Sequence, residues 1–337
     1  MPELRRDPVV GRWVIVNTDD SMTPDAFEKE EHEFTQAEMC QFCYGREYQT
    51  PPEVDVIRPS HTAPNTQGWS VRVVPNRFPA LRIEGNLDRR GIGIFDLSNG
   101  IGAHEVVIES PDHFKSMADF TEQEALNVIK KYQSRYLSLA RDRRFKYIMI
   151  FKNFGESAGA SLEHPHTQII ALPMVPKYVL EEIEGAQHYH EFRGRCVFCD
   201  MMRQEYEDEN RIIVENIHFL AFCPFVPRFS FECWIVPKKH VPDFGSLLEE
   251  EQVHLGAILR EVLLRMKVSL SNPAYNYYLH TAPVNYDGQE SYHWHIEIVP
   301  NVARVAGFEW GTGFYIVKTR PSLAAKFLRE ASVPVAK

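Results

Sequence analysis

The sequence predicts an α+β fold made of two tandem domains, each a largely antiparallel sheet with packed helices. Three observations carry that expectation. A length of 337 residues suits about two domains rather than one core. The two halves repeat the same elements in the same order, which is the mark of duplication. In each half, hairpin-like strands precede a helix, a pattern that favours antiparallel pairing.

The repeat opens with Cys40-Gln-Phe-Cys43 in the first half and Cys196-Val-Phe-Cys199 in the second. Strand-like runs follow, Val71 to Leu81 and Arg211 to Phe222. Next comes a strand ending in histidine, Val106 to His113 and Cys233 to His240. Helices then open with Thr121-Glu-Gln-Glu and Leu248-Glu-Glu-Glu, where acidic side chains suit the positive end of a helix dipole. The last shared element is a β-rich run, His164-Pro-His166-Thr-Gln168 to Pro173 and His293-Trp-His295-Ile-Glu297 to Pro300. The cysteine pairs begin 156 residues apart, the single histidines lie 127 apart, and the His-x-His starts 129 apart. The first half therefore holds an insertion, placed around Asn86 to Gly102. A boundary in the charged stretch Glu181 to Gly185 divides the chain into domains 1–185 and 186–337.

Composition narrows the function. Hydrophobic residues at 44% and charged residues at 25% are ordinary for a globular chain, and 12% aromatics supply a substantial core. A net charge of −9 argues against nucleic acid or an anionic membrane as partner, since both need a basic surface. No segment approaches the roughly 18 apolar residues of a membrane span, and the N-terminus lacks a signal-peptide pattern, so a cytoplasmic location is expected. There, paired cysteines are better read as metal ligands than as disulfides. Cys223 and Cys233, in apolar surroundings, read as packing residues.

Structural zinc takes four tetrahedral thiolate or imidazole ligands. The first half offers Cys40, Cys43, His113 and His164, and the second Cys196, Cys199, His240 and His293. Four protein ligands leave no open position, so both sites are expected to be structural, with iron the alternative in one. If His164 to Gln168 is a strand, residues 164, 166 and 168 share a face. A metal ligand then anchors the strand that carries His166, an imidazole able to attack phosphorus, beside Gln168, a donor for a phosphoryl oxygen. Upstream, Phe151 to Ser161 carries glycines that permit close approach of a phosphate, with Ser161 as a further donor. The second half has Glu297 in place of Gln168. A carboxylate there repels phosphate, so His295 is read as noncatalytic.

Asn76-x-Phe78, Ser110-Pro-Asp-His113, Asn153, Gly159-Ala-Ser161 and His164-Pro-His166-x-Gln168 resemble the galactose-1-phosphate uridylyltransferases of the histidine-triad superfamily. Arg6 to Ile15 also resembles that family's first strand. The resemblance implies two histidine-triad-like domains, a homodimer, and an active site completed by the partner's C-terminal segment. It further implies ping-pong transfer of a uridylyl group from UDP-glucose to galactose 1-phosphate through His166. Asn76, Phe78 and Phe151 would surround the nucleotide, Asn153, Gly159, Ser161 and Gln168 would contact phosphates, and Glu309 would grip the hexose from the other subunit. Three departures stand out: Asn17 to Pro24 replaces an arginine-rich stretch, Thr167 stands where glycine is usual, and no second amide follows Glu309. The tail and the second Cys-x-x-Cys look more like the relatives that act as ADP-glucose phosphorylases, which pass an adenylyl group to phosphate. Hydrolysis of a nucleotide is a weaker alternative, because related hydrolases have histidine at the position of Gln168.

Overall fold

In this computed structural model, which describes residues 1–29 and 37–333, the chain runs β1 (Glu3–Arg6), β2 (Trp13–Val16), β3 (Asp55–Ile57), β4 (Val71–Pro75), β5 (Arg90–Ile92), β6 (Phe95–Leu97), β7 (Ala103–Ile108), α1 (Glu122–Ala140), β8 (Tyr147–Phe154), β9 (His166–Leu172) and α2 (Lys177–Arg193). It continues through α3 (Val197–Asp208), β10 (Ile212–Glu215), β11 (Phe219–Phe222), β12 (Cys233–Pro237), α4 (Glu249–Ser269), β13 (Tyr275–His280), β14 (His295–Pro300), α5 (Gly307–Thr312), β15 (Tyr315–Val317) and α6 (Pro321–Arg329).

The α+β expectation holds, and the repeat is visible in the strand order. Ten strands make one sheet ordered β10-β11-β12-β14-β13-β8-β9-β7-β4-β3, with every neighbour antiparallel. Read from either edge to the centre, each half follows the same pattern, with the strand after its long helix innermost. The halves join where β13 pairs with β8, from Tyr275 opposite Phe154 to Leu279 opposite Ile150. A smaller sheet unites the chain's two ends: β2 pairs antiparallel with β1 and parallel with β15. The insertion in the first half carries the hairpin β5–β6.

Local chemistry sets these elements. Thr121 caps α1 and accepts from the Glu124 amide, while the Glu124 carboxylate accepts from the Thr121 amide. Ala125, Val128, Ile129, Tyr132, Tyr136 and Leu139 then bury one helical face. In α4 the buried stripe is Leu255, Ile258, Leu259, Val262, Leu263 and Met266. Both helices cover one face of the sheet, around Val107, Ile150, Ile169, Ile235 and Ile296. They cross at Gly256, where a Cβ would sit 3.1 Å from the Leu126 amide nitrogen. The opposite face is covered in the second half by α2 and α3, and in the first by the Cys40–Cys43 segment with Phe42 and Trp69. Cys223 and Cys233 are packed in the main core.

Several strand-like runs end earlier than their hydrophobicity suggests. Val71 to Leu81 is a strand only to Pro75, and the run to His113 stops at Ile108, before the Ser110-Pro111 turn. Arg211 to Phe222 folds back on itself, because the Asn216 side chain accepts from the amides of His218 and Phe219 and turns the chain. Glu181 to Gly185 is helical, within α2. Among the described residues, no helix is long and apolar enough to cross a membrane.

Candidate functional site

The two Cys-x-x-Cys turns each meet two histidines from distant elements. In the first half, Cys43 Sγ lies 3.4 Å from His113 Nδ1 and 3.6 Å from His164 Nδ1, and the two Nδ1 atoms are 3.3 Å apart. In the second, Cys199 Sγ lies 3.4 Å from His240 Nδ1 and 3.6 Å from His293 Nδ1. With Cys40 and Cys196, the ligand atoms of each set fall within 4.8 Å of one another. A tetrahedral ion at about 2.3 Å from sulfur and about 2.0 Å from nitrogen places neighbouring ligand atoms roughly 3.3–3.8 Å apart, so both sets fit. Outer hydrogen bonds prepare the imidazoles: His164 Nε2 donates to the Ser110 carbonyl at 2.7 Å and His240 Nε2 to that of Gln289 at 2.9 Å, leaving Nδ1 as the lone pair. Burial and the neighbouring Cys40 push the Cys43 thiol up to about 12, so its thiolate needs a cation beside it.

Two residues beyond His164, His166 starts β9 with its ring buried against the edge of Phe42 at 5.5 Å between centroids. Its Nδ1–H donates to the His164 carbonyl at 2.8 Å. That bond fixes the tautomer and leaves Nε2 with its lone pair. Burial, reinforced by the ammonium of Lys152, holds the imidazole below its usual range and hence neutral. His166, Gln168, Ser161, Asn76 and Phe78 all line one cleft of about 300 Å³, with Phe42 and Arg77 on its walls. Ser161 ends a loop whose turn uses Gly155 and Gly159 at positive φ, 84° and 85°. The second half buttresses that loop, since Asn276 donates to the Ala158 carbonyl at 2.8 Å and Asn301 to that of Ser157.

The remaining expected residues lie outside the lining of that cleft. Phe151 sits opposite Gln168 across β8 and β9 and shares its face of the sheet. Asn153, two residues on, donates to the Gly159 carbonyl at 3.4 Å and accepts from Asn276 at 2.8 Å. Glu309 lies on α5, where its carboxylate accepts from the Ala306 amide at 3.0 Å. Phe308 and Trp310 flank it and are exposed.

On the far face of β9, a closed polar network holds the strand from behind. Glu109 accepts from Thr167 at 2.6 Å, from Tyr132 at 2.8 Å and from the Lys152 ammonium, which also donates to the His166 carbonyl at 3.2 Å. Sequence spacing gave no hint of it, because its members come from four separate elements. A third group of side chains also went unread. Glu182, His280, His295 and Glu297 bring ligand atoms within 4.8 Å of one another. There, His280 donates to Glu182 at 2.8 Å and Arg228 ion-pairs with Glu297, so the charges are matched within the protein. The alternation His293-x-His295-x-Glu297 was its sole signal. His295 is fully buried, stacked on Trp234 at 4.8 Å with Phe198 at 5.0 Å, beside a void of only about 20 Å³.

Comparison with known proteins bears on what this geometry serves. Residues 1–176 match the family described as galactose-1-phosphate uridyl transferase, N-terminal domain, and residues 99–331 match a domain of unknown function, DUF4921. The chain is 37% identical to an ADP-glucose phosphorylase of Arabidopsis thaliana, over 98% of this chain and 93% of that protein. It is 29% identical to a galactose-1-phosphate uridylyltransferase of Thermotoga maritima, over 99% of this chain and all of that one. The crystal structure of an ADP-glucose phosphorylase from Arabidopsis thaliana with bound ADP-glucose superposes with a TM-score of 0.82 at 36% identity, covering 99% of this chain and 100% of that one.

Proposed function

The chain belongs to the galactose-1-phosphate uridylyltransferase family, and from that premise we propose that it carries a nucleoside monophosphate from a nucleotide sugar to a phosphate-bearing acceptor on His166. The observation that carries the reading is the tautomer: Nδ1–H is committed to the His164 carbonyl, and the ring opens on the cleft. Nε2 attacks the α-phosphorus, forming a P–N bond as the bond to the bridging oxygen breaks and the sugar 1-phosphate leaves. An acceptor phosphate oxygen then attacks the same phosphorus, the P–N bond breaks, and the neutral imidazole returns. Gln168 and Ser161 donate to the nonbridging oxygens, on which charge grows in each step. Asn153 and Gly159 shape the loop at the phosphate end, and Asn76, Phe78 and Phe151 border the nucleoside.

Zinc in the two Cys2His2 sets would supply rigidity rather than chemistry, holding His164 and therefore the start of β9. The catalytic half runs to β9, and the second half, which begins at α2 rather than at residue 186, buttresses it. Glu309, away from the cleft lining and flanked by exposed aromatics, contacts the hexose of a second copy's site in a homodimer. A reducing cytoplasm suits the four ligand thiols.

Adenylyl transfer from ADP-glucose to phosphate is one reading of that chemistry. It is favoured by the 37% identity, which spans nearly the whole of this chain and of the Arabidopsis thaliana phosphorylase. Uridylyl transfer from UDP-glucose to galactose 1-phosphate is the second reading, favoured by the family match over residues 1–176. Intact-protein mass spectrometry after brief incubation with each nucleotide sugar separates them. An adenylyl adduct discharged by phosphate establishes the first, and a uridylyl adduct discharged by galactose 1-phosphate the second. No adduct with either donor would overturn both.

A further inference from the structure

Gln168 can help a phosphoryl group only if its carboxamide turns the NH2 end, not the oxygen, towards the cleft. Nothing in the residue itself fixes that choice, since the two ends of an amide have the same shape. The neighbouring strand settles it. His104 lies on β7, where Val106 is opposite Gln168, so His104 is the diagonal neighbour of Gln168 on the same face. The Ala80 amide donates to His104 Nδ1 at 3.1 Å. A neutral ring that accepts at Nδ1 carries its proton on Nε2. That nitrogen lies 2.8 Å from Gln168 Oε1. Asn76 approaches the same nitrogen at 3.1 Å with its amide NH2, its own oxygen being taken by the Phe78 amide at 2.9 Å. Two donors do not bond each other, so the Nε2 proton goes to Gln168.

We propose that His104 is a positioning residue for nucleotidyl transfer, its Nε2–H holding the Gln168 oxygen so that the Gln168 NH2 faces the phosphoryl group. His104 itself lines the adjoining cavity of about 490 Å³ and not the cleft that holds His166, so it acts through Gln168 rather than on substrate. The proposal rests on the reading of His166 as nucleophile. It adds a residue that the duplicated motifs do not include: position 104 precedes the Ser110-Pro-Asp-His113 element, and its partners come from two other stretches of chain.

The test is the rate of nucleotidyl-adduct formation in a single turnover, measured on the zinc-loaded full chain with whichever nucleotide sugar labels the wild type. His104→Ala should slow labelling about tenfold, the effect of one lost orienting hydrogen bond. His104→Gln, which offers an NH2 donor at similar reach, should restore the rate to within about threefold. In a Gln168→Ala background, His104→Ala should cause no further loss, because the group it positions is gone. An equal loss in that background, a His104→Gln rate as low as that of His104→Ala, or a His104→Ala rate equal to wild type would each overturn the proposal. A wild type that forms no adduct would sink the nucleophile reading instead, so the two failures are distinguishable.

Discussion

Replacing Lys152 with methionine isolates what the buried network behind β9 contributes. The Lys152 and Glu109 side chains are 1% and 0% exposed, so neither charge has water as a fallback. Burial alone would push the Glu109 carboxyl up, but the Lys152 ammonium, with hydrogen bonds from Thr167 and Tyr132, holds it below the usual carboxylate range. Lys152→Met keeps the stem's volume and removes the cation. Glu109 is then a buried carboxylate with two neutral donors, and the His166 carbonyl loses its 3.2 Å partner. Removing one member of a fully buried pair costs about 3–5 kcal/mol. Equilibrium urea unfolding with zinc in excess should show that loss. Adding Glu109→Gln removes the stranded charge and should bring stability back to within ~1 kcal/mol of wild type. A single variant as stable as wild type, or a double variant as weak as the single, would refute the reasoning.

Other outcomes follow from the packing and ion pairs of the fold. In Gly185→Ala, the new Cβ would sit 1.9 Å from the Val9 carbonyl oxygen, so α2 or the turn before β2 must move. A loss of about 1–3 kcal/mol in thermal or urea unfolding is expected, and an unchanged midpoint would show the contact is slack. At acid pH, Asp55 is informative: burial raises its carboxyl, yet Lys131 and Ser134 outweigh that and hold it below its ordinary value. Its stabilising effect is therefore complete above the unfolded-state pKa near 4 and is lost as pH falls through the lower folded value. Asp55→Asn should flatten the fall of melting temperature below about pH 4, and an identical acid limb in the variant would contradict this. Cys43→Ser and Cys199→Ser should each lower bound zinc by one ion per chain in elemental analysis. Retention of full metal by either would show its cluster to be misassigned.

The sequence exposed what was repeated and hid what was assembled. The cysteine pairs, His113, His240 and the two His-x-His runs are copied in register, so both Cys2His2 clusters were legible in the sequence. The pairing of His166 with Gln168 was readable too, because a strand alternates its faces, whereas His164 precedes β9 rather than lying on it. Continuity of the sheet through β8 and β13 was not, since pairing between distant strands leaves no local period. Glu182 escaped because its helix is weakly patterned, burying only Val179, Ile183 and Ala186. Its charged surface, Glu181 to Gly185, looked like a linker for the same reason. His104, Lys152 and Glu109 escaped because their roles depend on strand register, which the residues of any one strand do not encode.

Covalent carriage of the nucleotide by His166 is the step on which the proposed transfer depends. Peptide mapping of the adduct formed from ADP-glucose or UDP-glucose, under alkaline conditions that preserve phosphoramidates, tests it most directly. A nucleotidyl group is expected on the peptide containing His166, and none in His166→Ala, although that variant keeps its fold and its metal. An adduct on another residue, or sustained turnover by His166→Ala, would contradict it.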